Sequence, residues 1–220
     1  PNCDCERFVE LWNLVFMQYF QDSSGARTPL PAPSVDTGMG LERTAAVLQG
    51  VDTNYHIDIL RPIVETVAEV CGTEYDSTSE SGRRLRRITD HLRACTFAIH
   101  ENVYPGPNKE KYVIRRLLRR AVLDGHQLGL RDPFLHQLVP VVAGMMKHSY
   151  PELGETVDRV SSVIEQEENT FFATINLCNN TGSLSCEFNA KIFFIFKNNL
   201  TFFNTITHFN KHGWTHTHKL

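Results

Sequence analysis

The sequence predicts an α+β fold, a short antiparallel β part followed by an all-α part. Three observations carry this. Residues 9–20 (VELWNLVFMQYF) are dense in aromatic and apolar side chains and read as a strand covered on both faces. Ser34-Val35-Asp36 reads as the end of a second strand, and Gly38-Met39-Gly40 as a turn into a helix opened by Leu41-Glu42-Arg43. Beyond Tyr55 the apolar residues step by three and four, with little β signal.

The first strand carries one anomaly. On period two, Val9, Leu11, Asn13, Val15, Met17 and Tyr19 share a face, so Asn13 is the lone polar group on an apolar face. A buried amide without partners costs about 1–3 kcal/mol. Asn13 therefore either bonds a neighbouring strand or loop, or faces a pocket and bonds a ligand. Residues 21–33 hold Gly25, Pro29, Pro31 and Pro33 and read as a loop. Antiparallel pairing across that loop places Asn13 near Asp36. Gly38 and Gly40 leave backbone bare for close approach. Arg43 falls on the first helical turn, where free N–H groups and the dipole favour an anion. Its planar fork can bond two phosphate oxygens at once. Local spacing alone also admits a capping Asp36 and a solvated Arg43, because Gly-x-Gly is a common pattern.

The helices follow in order. Leu60, Ile63, Val64, Val67, Val70 and Cys71 keep helical spacing up to Gly72, and residues 73–82 are turn-rich. Leu85, Ile88, Leu92, Cys95 and Ile99 make a clean apolar stripe, and Pro105-Gly106-Pro107 marks a loop. In residues 111–128, Arg115, Arg116, Arg119 and Arg120 fill one arc of roughly 140°, opposite Ile114, Leu117, Leu118, Ala121 and Val122. The basic arc is expected to face outward. It suits phosphate, or it is solvated or paired within the chain. Arg83, Arg84, Arg86, Arg87 and Arg93 form a second basic cluster. Residues 134–148 read as a helix kinked or broken at Pro140. Val157, Val160, Ile164 and Phe171 give a last amphipathic helix, with Glu165, Glu167 and Glu168 outward. From residue 176 Asn, Phe, Thr and His dominate without helical or alternating rhythm, as in sequence not selected to fold with the rest. The expected division is 1–50, 51–175 and an unstructured tail, 176–220.

Composition sets limits. An apolar content of 41% with 21% charged residues fits a globular domain. A net charge of −3 excludes an overall basic field, so nucleic-acid binding must come from local clusters. No apolar run is long enough to span a membrane. Of the six cysteines, Cys71 and Cys95 lie on apolar helix faces and read as buried free thiols. Cys3-x-Cys5 lacks a second pair at zinc spacing, and His208, His212, His216 and His218 read as a His-rich tail, so no metal site is expected. The chain opens on Pro1 with no signal pattern and reads as part of a longer protein.

The string VDTGMGLER resembles motif 3 of the class II aminoacyl-tRNA synthetases. LWNLVFMQYF, TNYHIDIL, ITDHLRA, YVIRRLLRRAV and YPEL, in that order, are similar to the alanine-specific branch, over residues 6–174. The resemblance implies the C-terminal end of a class II catalytic sheet followed by a helical domain that holds the tRNA(Ala) acceptor stem. It implies that Asn13, Asp36 and Gly38 line an alanine pocket, with Asp36 on the substrate ammonium. Gly40 and Arg43 would meet ATP, Arg43 neutralising phosphate in catalysis. Arg115, Arg116, Arg119 and Arg120 would lie beside the acceptor stem. ATP enters with Mg2+ as substrate, and zinc belongs only to an editing domain outside these residues. Motifs 1 and 2 match nothing here, so these residues are not expected to activate alanine by themselves. The Pro105-Gly106-Pro107 loop departs from the common pattern and resembles mitochondrial forms, favouring the mitochondrial matrix over the cytoplasm. The competing reading is a non-catalytic helical RNA-binding module or an inactive gene product.

Overall fold

The computed structural model describes residues 8–180. Strands β1 (Trp12–Gln21) and β2 (Arg27–Met39) form an antiparallel ribbon, followed by six helices. These are α1 (Leu41–Gln49), α2 (Arg61–Val70), α3 (Glu80–His100), α4 (Lys109–Gln127), α5 (Leu135–Met146) and α6 (Val157–Asn180). Short 3-10 turns at Asn54–His56 and Pro151–Thr156 precede α2 and α6. The α+β class is as the sequence predicts.

The ribbon differs from expectation in three ways. The loop is confined to residues 22–26, and β2 takes in Pro29, Pro31 and Pro33. Pro31 and Pro33 are tolerated because the ladder breaks there, and Pro29 pairs with Tyr19 at the edge of the break: between Met17↔Ser34 and Tyr19↔Pro29, Gln18 alone faces residues 30–33. No Gly-x-Gly turn forms either. The strand runs through Gly38 to Met39, and Gly40, at φ −76°, caps α1. Its N–H donates to Leu11 O and its carbonyl accepts from Thr44 N–H. Finally, β1 is not covered on both faces: Trp12, Phe16, Tyr19 and Phe20 are exposed. Two strands alone have no second layer to bury apolar side chains against.

The core lies in the helical part. Leu85, Ile88, Leu92, Cys95 and Ile99, all fully buried, form the stripe of α3. Around it pack Ile63, Val64 and Val67 of α2, Leu118 and Ala121 of α4, Leu138 and Val142 of α5, and Ile164 of α6. Ser79 caps α3 by accepting the Gly82 N–H at 2.9 Å. Cys71 and Cys95 are buried free thiols. Helix α5 runs through Pro140 without a break, and α6 runs through residue 176 to Asn180. Among the described residues, no helix is long and apolar enough to cross a membrane.

Two of the three acids expected to point outward on α6 are buried. Glu167 and Glu168 are 7% and 1% exposed, and Glu165 alone stays in solvent. The stripe through Ile164 and Phe171 passes over both buried positions, and each carboxylate has partners there.

Candidate functional site

The ladder brings three of the sequence-designated residues together. Asn13 lies directly opposite Gly38, and Val15 opposite Asp36. Paired residues share a face, so Asn13 and Asp36 are diagonal neighbours, roughly 7–8 Å apart in such ladders. The face is open, Asp36 is exposed, and a Cβ built on Gly38 would meet nothing within 4 Å. On the opposite face the Trp12 indole N–H donates to Thr37 Oγ1, and that face is exposed as well.

Arg43 follows on the first turn of α1. It is exposed, and its Nη1 donates to Glu10 O at 3.1 Å. That bond ties the guanidinium to the chain entering β1. Gly40 lies against the Arg43 stem, at 3.5 Å from a Cβ built there to Cδ. A Cβ at position 40 would make ordinary van der Waals contact with that arginine.

Helix α1 is clamped to the helical part at both ends. Glu42 Oε1 accepts from Arg93 Nη1 of α3 at 2.9 Å. Gln49 exchanges two bonds with Asp58: Nε2 donates to Oδ1 at 2.9 Å, and Oε1 accepts the Asp58 N–H at 3.0 Å. A polar cavity of about 180 Å³ lies at this junction, lined by Glu42, Asn54, Tyr55, Leu60, Asp90 and Arg93. Burial, with Asp90 close by, pushes the Tyr55 hydroxyl up to about 12. The cavity is separate from the face of Asn13, Asp36 and Gly38, which a two-stranded ribbon leaves open rather than enclosed.

The basic arc of α4 is not the plain outward face expected. All four arginines are half-buried. Arg119 Nε donates to Glu167 Oε1 at 2.7 Å, and its guanidinium lies 5.2 Å from the Phe171 ring centroid. Arg115 Nε is ion-paired to the same oxygen at 3.3 Å, without hydrogen-bond alignment. Arg116 lies over the Tyr112 ring at 5.7 Å, and its buried Nε has no hydrogen-bond partner. Arg120 is held below the usual guanidinium range by burial and by Arg116 and Arg87. The second cluster is also engaged internally. Arg87 grips Asp124 with Nε and Nη2, both at 2.6 Å, and Arg84 approaches the same carboxylate at 3.4 Å. Arg86 donates to Ser77 O at 2.7 Å.

Sequence reasoning missed Asp124 and Glu167, the acids that organise this face. Glu167 sits three residues after Ile164 and four before Phe171, so the apolar stripe itself marked it as inward. Among the described residues no group of three or more His, Cys, Asp or Glu could hold a metal ion. Cys3, Cys5 and the histidines of residues 208–218 lie outside the described residues.

Comparison with known proteins fits this layout. The family model "tRNA synthetases class II (A)" matches residues 1–191, sixteen residues beyond the expected end of the folded part. An alanine–tRNA ligase of Rhodopirellula baltica is 61% identical over 170 residues, 76% of this chain and 18% of that protein. Alanine–tRNA ligases of Nitrosospira multiformis (50% over 175 residues) and Desulforamulus reducens (47% over 173) cover 80% and 79% of the chain, and 20% of each relative. The chain thus spans about a fifth of the length of the relatives it matches. With the family model matched over most of its length, the chain belongs to the class II tRNA synthetases.

Proposed function

We propose that these residues form the motif 3 end of the adenylate-forming core, and the acceptor-stem-binding helices, of an alanine–tRNA ligase. The observation that carries the proposal is the ladder register, which sets Asn13, Gly38 and Asp36 on one open face directly before the helix of Arg43. Asp36 meets the alanine ammonium and Asn13 bonds the same substrate. The lack of a side chain at Gly38 leaves room for it. Arg43 neutralises ATP phosphate, supported by the helix N-terminus beneath it. The alanine carboxylate oxygen attacks the α-phosphorus, and pyrophosphate leaves with Mg2+. The terminal ribose hydroxyl of tRNA(Ala) then attacks the alanyl carbonyl and AMP leaves. Positioning and charge neutralisation carry the rate, with no acid–base side chain required from this stretch. A mitochondrial location belongs to the same proposal and rests on the Pro105-Gly106-Pro107 loop; fractionation with an antibody to the protein tests it.

The test is a chimaera in which residues 8–177 replace the matching segment of the Rhodopirellula baltica ligase. Alanine-dependent exchange of labelled pyrophosphate into ATP is the expected result. A folded chimaera that binds acceptor-stem RNA but supports no exchange would instead favour a non-catalytic RNA-binding module.

A further inference from the structure

The α4 face holds more arginine than its buried acids can neutralise. Arg115 and Arg119 share one carboxylate, Glu167, which is 7% exposed. Arg84 and Arg87 share another, Asp124. Arg116 makes no ion pair among the described residues and rests only on the Tyr112 ring. Each buried carboxylate thus takes up guanidinium donors, and a guanidinium gripping it is not available to an RNA backbone.

We propose that Glu167 is a positioning residue that withholds Arg115 and Arg119 from RNA phosphate, so that of these three arginines Arg116 makes the principal backbone contact. This rests on the RNA-binding reading above. The consequence is specificity. A face presenting four or more mobile arginines binds any polyanion, whereas one presenting few depends on the shape of the RNA. The side chains of Arg115 and Arg119 are 29% and 32% exposed, so loss of the Glu167 charge lets them turn outward. A merely structural role for Glu167 predicts the reverse, weaker binding through a loosened α4–α6 contact.

The experiment measures binding of the full chain to an acceptor-stem RNA hairpin, and to a scrambled hairpin, as salt is varied. Glu167→Gln is expected to bind both RNAs several-fold tighter, with a narrowed preference. The salt slope steepens by about 0.7–0.9 for each added phosphate contact. Adding Arg119→Met to Glu167→Gln removes most of that gain. In the parent chain, Arg116→Met lowers the slope by about 0.7–0.9 and Arg115→Met by less than half as much. The arginine pair keeps the test sound should Glu167→Gln fold poorly. Unchanged or weaker binding by folded Glu167→Gln, or equal drops for Arg115→Met and Arg116→Met, overturns the inference alone. No RNA binding by any variant overturns the RNA reading and this inference with it.

Discussion

Glu168 offers the sharpest stability prediction. Its carboxylate is fully buried and caps α5 from a distance. Oε1 accepts the backbone N–H of Phe134 at 2.8 Å and of Leu135 at 2.9 Å. Oε2 accepts the His136 N–H at 3.1 Å and lies 3.1 Å from His136 Nδ1. These are orphan donors of a helix N-terminus, where negative charge is also favoured by the dipole. Glu168→Gln keeps one acceptor oxygen but turns an NH2 toward the His136 donors and removes the charge. Hydrogen bonds to charged groups contribute about 1.5–3 kcal/mol each, and these are not independent, so we expect a loss of roughly 2–4 kcal/mol. At this chain length that lowers Tm by roughly 4–15 °C. Glu168→Ala should cost more, because three backbone N–H groups lose their acceptor. Urea and thermal unfolding followed by circular dichroism measure both, with exposed Glu165→Gln as a control within about 0.5 kcal/mol of the parent. If Glu168→Gln matched that control, the capping argument would be wrong.

Three further outcomes follow from the same geometry. Gly125→Ala places a Cβ 2.3 Å from the Phe134 ring, so it should destabilise by about 1–3 kcal/mol in the same unfolding assays, while Gly144→Ala, whose Cβ meets nothing within 4 Å, should not. Burial pushes the Cys71 thiol up to about 11 and the Cys95 thiol higher still, so both should resist iodoacetamide in the folded chain and react once unfolded, read residue by residue in a mass spectrum. Burial holds the His126 imidazole below its ordinary 6.5, so the unfolded state binds the extra proton: stability is present above that value and falls as pH drops through it, and His126→Gln flattens the fall. The Asp90 carboxyl, held down by its bond to the His91 ring, adds a second loss as pH falls below the ordinary carboxylate range.

The helices were legible because their stripes are unbroken: Leu85 to Ile99 needs no tertiary information to be read as a buried face. The ribbon was legible in pairing but not in extent. Three alternating prolines look like a loop until the register irregularity opposite Gln18 takes in Pro31 and Pro33, with Pro29 at its edge. That Asn13 and Asp36 lie near one another was legible from antiparallel pairing, whereas the register that sets Asn13 opposite Gly38 was not. Charge placement was the hardest part. A helical wheel shows an arginine arc but not the acid that a neighbouring helix brings to it, so the pairing of Glu167 and Asp124 with those arginines stayed hidden. Glu168 stayed hidden because its partners are backbone donors 32–34 residues away, which side-chain pattern does not encode.

The central claim is that Asp36 serves the amino acid and Arg43 the nucleotide. Steady-state pyrophosphate exchange in the chimaera separates them. Asp36→Asn should raise the KM for alanine roughly 10- to 150-fold, the worth of one charged hydrogen bond, and leave the KM for ATP nearly unchanged. Arg43→Ala should do the opposite, lowering kcat/KM for ATP while alanine dependence stays near the parent's. An Asp36→Asn enzyme with the parent's alanine dependence, or one in which both substrates weaken together, would contradict the account.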